Sequence, residues 1–173
     1  MRLSSDPAHL LAIYLNDHLA GATGGVELAR RLRASNQGDE DFGPAMAEIC
    51  VEIEADRATL QQVMERLDIK RDPVKPAAAW VAEKLGRLKL NGRLRGYSPL
   101  SRMVELEGLA IGVNGKMRLW TALEHTLGSS LPGFDFKQLC ERAMRQRSAI
   151  EELHLEAAVR ALPTGGDPDG HNA

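Results

Sequence analysis

Apolar residues recur every three or four positions along almost the whole chain, and the alternation that marks a half-buried strand is nearly absent. The pattern predicts a first helix from about Asp6 to Ala34, with Asp6 as N-cap and Pro7 in the first turn. Its stripe reads Leu10, Leu11, Tyr14, then Gly21 and Gly24 or Gly25, then Leu28 and Leu32. A polar turn, Asn36 to Asp41, separates it from a second helix spanning about Pro44 to Leu67, which Asp72-Pro73-Val74-Lys75-Pro76 should end. A shorter helix fits Ala77 to about Leu90. A long one, capped by Ser98, fits Pro99 to about Leu127, running on through Asn114-Gly115 because the stripe stays in phase there. The last helix is expected from about Asp135 to Leu162. The fold class is therefore all-α: a bundle of four long helices, with one shorter connecting helix between the second and fourth. Residues 1–163 form a single domain, and the Gly/Pro/Asp-rich tail 164–173 is expected to be disordered.

Glycines and a basic run punctuate this pattern. Gly21, Gly24 and Gly25 in the first helix, and Gly108 and Gly112 in the fourth, each cost up to about 1 kcal/mol relative to alanine. The ordinary reason is close backbone approach between these two helices; the alternative is room left for a ligand between them. No strand precedes either cluster, so a phosphate-binding loop is a poor match. Lys84, Arg87, Lys89, Arg93, Arg95 and Arg102 form a basic stretch, ordinarily a solvated face and alternatively a surface for an anionic partner.

Composition narrows the function classes. Aromatic residues are only 4% of the chain, which leaves few platforms for stacking single-stranded bases. The net charge of −2 supplies no field for nucleic acid or an anionic membrane. Neither a signal peptide nor an apolar run of membrane-spanning length is visible, so the expected location is cytoplasmic. Cys50 and Cys140 fall on apolar stripes and read as small buried hydrophobes in a reducing compartment. No nucleophile-elbow pattern occurs; Gly96-Tyr97-Ser98-Pro99-Leu100 lacks the closing glycine.

Ionisable residues interrupt the stripes on all four long helices. Asp17 and His18 do so on the first, Asp56 with Arg57 on the second, Glu107 on the fourth, and Glu151 and His154 on or beside the last. Buried charge is expensive unless it is paired or bound to metal. Ion pairs such as Asp56 with Arg57 or Arg147 are one explanation. A carboxylate-rich site for iron, manganese or zinc is the other, with Glu151 and His154 one turn apart and able to reach the same ion. Counting from the last loop near residue 131, Glu107 lies 24 residues before it and His154 23 after, so they should face each other. Asp17 and Asp56 likewise share a level about the first turn. All four groups converge if the two hairpin turns lie at one end. They are offset by about 15 Å if residues 70–97 cross the bundle's length.

Two long helical hairpins joined by a long connection resemble the ferritin-like superfamily, and Glu151-Glu152-Leu153-His154 matches its Glu-x-x-His element at Glu151 and His154. By that resemblance, Glu107 would be the single carboxylate of the neighbouring helix, and a complete site would bind two iron or manganese ions for redox or storage chemistry. The second Glu-x-x-His is missing, and the first helix offers Asp17 instead of glutamate. The favoured expectation is thus a non-catalytic interaction bundle, a homo-oligomer or a binder of a protein partner. The alternative is a metal-binding protein with a degenerate site made of Glu107, Glu151, His154, Asp17 and Asp56.

Overall fold

The computed structural model describes residues 6–72 and 97–163, and among them every regular element is a helix. Helix α1 runs Pro7–Ser35, α2 Phe42–Arg66, α3 Pro99–Leu127 and α4 Phe136–Ala161. The expected short helix at 77–90 and the tail 164–173 lie outside the described residues. No helix among the described residues is long and apolar enough to cross a membrane.

Local chemistry starts three of these helices as expected. Asp6 accepts from Ala8 N at 3.1 Å, Ser98 from Ser101 N at 3.1 Å and Asp135 from Gln138 N at 2.8 Å. Each satisfies an amide that a helix N-terminus leaves without an intrahelical partner. Helix α2 begins two residues before the expected Pro44, because Asp39 Oδ1 reaches past the adjacent residues to accept from Phe42 N at 3.0 Å. Its end falls where expected, within a residue of Leu67, but by a different device. Asp68 adopts a left-handed conformation (φ 54°), Asp68 N donates to Glu65 O, and Ile69 N donates to Met64 O. This paired closure stops the helix at Arg66, before the proline-rich segment is reached.

The helices pack as two antiparallel hairpins, α1 with α2 and α3 with α4, while α1 lies along α3 and α2 along α4. The hairpin turns stand at opposite ends. Asp39, in the α1–α2 turn, accepts from Arg102 at the start of α3 (2.8 Å) and from Arg160 at the end of α4 (3.1 Å). The chain leaves α2 beside Asn16, whose side chain donates to Lys70 O and accepts from Asp72 N. It re-enters beside Asn36, whose side chain donates to the Tyr97 hydroxyl. Those two anchors lie roughly 30 Å apart along α1 at the α-helical rise.

Aliphatic side chains from all four helices fill the interior, joined by Phe42, Trp120 and Phe136. In α3 the buried apolar positions are Leu106, Leu109, Val113, Leu119, Trp120 and Leu123, while Leu100 and Ile111 are exposed. Apolar residues surround this helix, so periodicity does not select one face.

The phenylalanine at the start of α2 receives the Arg102 guanidinium 4.4 Å above its ring, so Asp39 and Phe42 together fasten the turn to α3. The Phe42 amide and the two guanidiniums hold the Asp39 carboxyl down at about 2, against an ordinary 3.8. A depressed carboxylate stabilises the fold above its unfolded pKa, and that stabilisation disappears as pH falls through the folded value. Between pH 4 and pH 2 the protein should therefore lose about 1–2 kcal/mol through this residue, after allowance for solvent screening. Asp39→Asn keeps a capping oxygen but removes the charge, so its urea midpoint should fall less steeply over that range; parallel acid limbs would refute the assignment.

Candidate functional site

Between α1 and α3 lies a cavity of about 470 Å³. Its walls are made by what is missing from them. A β-carbon placed on Gly21 or Gly25 of α1, or on Gly112 or Gly115 of α3, would meet no atom within 4 Å. At Gly108 close approach does appear, with Leu28 Cδ2 of α1 3.4 Å from where a β-carbon would stand. The expectation that these glycines bring two backbones together is thus corrected at Gly21, Gly25 and Gly112, which instead leave space. Ile53, Leu60, Leu109 and Trp120 supply the apolar lining behind them.

Charged groups occupy two levels of this cavity. Asp17 stands on the lining but is exposed, next to a half-buried His18 whose ring meets Tyr14 edge-on at 4.5 Å. Burial pushes the His18 pKa below the usual histidine value, with Asp17 opposing, so the ring is neutral at pH 7.

Deeper in the bundle Asp56 is 2% exposed and fully engaged. Its Oδ1 accepts from Arg142 Nε at 2.9 Å and also from Arg142 Nη2. Its Oδ2 accepts from Lys116 Nζ at 2.5 Å and Gln146 Nε2 at 3.1 Å. Gln146 returns an acceptor to Lys116 and donates to Glu52 at 2.9 Å. Burial pushes the Lys116 ammonium pKa down, and Asp56 partly restores it. The buried charge anticipated at Asp56 is real, but its cations are Lys116 and Arg142. Arg57 turns instead to Thr23, donating from Nε at 3.2 Å, and Arg147 lies 3.8 Å from Glu151.

The five residues considered as metal ligands do not gather. Glu107 and His154 do meet, His154 Nε2 lying 3.1 Å from Glu107 Oε1, but both are substantially solvent-accessible at the bundle surface. Glu151 is exposed. Asp56 lies about eight to nine residues along the helices from the Glu107–His154 level, judging by its contacts with Lys116 and Gln146, which corresponds to roughly 12–14 Å. Among the described residues, no group of three or more His, Cys, Asp or Glu side chains stands close enough to hold a metal ion. Cys50 and Cys140 are both free thiols; burial, with Glu54 adding to it, raises the Cys50 pKa and keeps that thiol unreactive.

The acid that α3 does bury is Glu105, which the spacing argument passed over. It is 1% exposed, 2.8 Å from Arg31 Nε, and accepts from the Tyr97 hydroxyl at 3.1 Å. Burial raises its pKa, with Arg31 and Tyr97 opposing. This cluster ties the point of chain re-entry to the end of α1 and therefore has a structural role. Its only advance signal was a glutamate directly preceding a core leucine. No family model, curated protein or solved structure matches this chain.

Proposed function

We propose that this chain is a non-catalytic binding protein that holds a small, mainly apolar molecule between α1 and α3. The observation that carries the reading is the set of four helical glycines, Gly21 and Gly112 at the exposed mouth and Gly25 and Gly115 half-buried, that line one cavity without a side chain to fill it. Helix-interior glycine is destabilising by roughly 0.5–1 kcal/mol relative to alanine, so such a set needs a compensating use. The volume falls within the roughly 300–1,000 Å³ typical of small-molecule sites, and an apolar lining with a few polar groups is their usual make-up. The deep polar side chains are occupied with one another, which favours holding over chemistry. At the level of architecture alone, the two hairpins with turns at opposite ends support the ferritin-like resemblance.

A neutral environment-sensitive dye such as N-phenylnaphthylamine tests the reading. Saturable one-to-one binding is expected with the full chain. Gly112→Leu should abolish it by filling the cavity while leaving the helical circular dichroism intact. Absence of saturable binding, or equal affinity in the folded variant, would sink the proposal.

A further inference from the structure

We infer that the molecule held in this cavity is an amphiphilic acid, an apolar chain ending in a single carboxylate, with Arg57 as the residue that receives its head group. The inference rests on the cavity reading and adds the chemical class of the ligand.

Arg57 is the starting point. It lines the cavity, half-buried, and its Nε is fixed by a bond to Thr23 Oγ1 at 3.2 Å. Thr23 is itself held, its hydroxyl donating to Leu19 O at 2.9 Å. The guanidinium is thus oriented from α1, while its two terminal nitrogens have no protein acceptor among the described residues. A planar fork with free parallel donors matches a carboxylate in two-point contact, a stronger arrangement than a neutral hydrogen bond.

The surrounding charges favour the same sign of ligand. Lys116 and Arg142 pair with Asp56, and Glu52 joins that cluster through Gln146, so the cluster balances itself and Arg57 stands outside it on the cavity wall as an added positive charge. Lys116 uses two donors, on Asp56 and Gln146, and a lysine ammonium has three. His18 adds no charge at neutral pH. Asp17 is the remaining carboxylate on the lining. It lies six residues before Thr23 on α1, about 9 Å along the axis, and it is exposed. Water screens it there, so it leaves Arg57 without a counter-ion. One carboxylate would balance Arg57, while its chain would lie against the leucine and isoleucine side chains beside the glycines.

Three ligands of equal chain length separate the alternatives: decanoate, decanol and decylammonium, each displacing the neutral dye from the full-length protein and from Arg57→Met. Decanoate should bind wild type about tenfold or more tightly than decanol, as one charge-assisted bond to a desolvated group implies. Arg57→Met should erase that preference and leave decanol affinity unchanged, which also shows that the variant is folded. Equal binding of decanoate and decanol by wild type would overturn the inference while leaving the cavity reading in place. So would a decanoate preference that survives in Arg57→Met, or tightest binding by decylammonium. Failure of the dye itself to bind would remove the cavity reading and this inference with it.

Discussion

Asp56→Ala should lower the unfolding free energy by about 3–5 kcal/mol, the range found when one partner of a buried ion pair is removed. The carboxylate accepts four hydrogen bonds from three side chains, and the alanine would leave Lys116, with 13% of its side chain exposed, without its anion. Arg142 would suffer less, because a quarter of its side chain already reaches solvent. Lys116 would escape by losing its proton, so the variant should recover part of its stability as pH rises toward the already lowered pKa of this lysine. Replacing both partners, Asp56→Leu with Lys116→Met, should restore much of the loss, since a packed apolar pair avoids desolvating charge. Urea unfolding of wild type and the two variants measures this directly. A loss below about 1 kcal/mol for Asp56→Ala would mean that solvent, rather than these side chains, balances the carboxylate.

Trp120→Ala should cost a similar amount, about 3–5 kcal/mol, for a different reason. The indole is 1% exposed and stacks on Phe136 with ring centroids 6.1 Å apart, and Phe136 stacks in turn on Phe134 at 6.0 Å. Truncation removes the apolar contact and merges the new void with the cavity between α1 and α3, which Trp120 already lines. The indole N–H is buried without an acceptor among the described residues, so it offsets part of what the ring contributes. Trp120→Phe should therefore remain within about 1 kcal/mol of wild type, keeping most of the packing and dropping the orphan donor. Calorimetric midpoints for the two variants test the pair; equal losses would show that the N–H, and not the ring volume, sets the energetics.

The sequence made helices legible because their determinants are local. Asp6 and Ser98 cap where expected, and the helix through Asn114-Gly115 is continuous because its neighbours keep one register. Asp56 was legible as a buried charge because the α2 stripe has a single face. Its partners were not, since Lys116 and Arg142 lie 60 and 86 residues away and depend on how helices slide against each other. Glu107 and His154 meet because counting outward from one short loop fixes the register of one hairpin. The same counting cannot relate that hairpin to the other. Helix α3 has no polar face, so periodicity does not separate the exposed Glu107 from the buried Glu105. The glycines stand out in the sequence, but composition alone does not distinguish close contact from empty space.

That space has a consequence for how the sequence is maintained. Each wall glycine enlarges the set of conformations open to the unfolded chain, so replacement by alanine at an unobstructed helical site would favour the folded state by about 0.4–1 kcal/mol. Gly21, Gly25, Gly112 and Gly115 all have room for the added methyl group. Random mutation offers an easy route toward a firmer and progressively narrower cavity. Keeping it open requires selection to act against stability itself, at four separate codons.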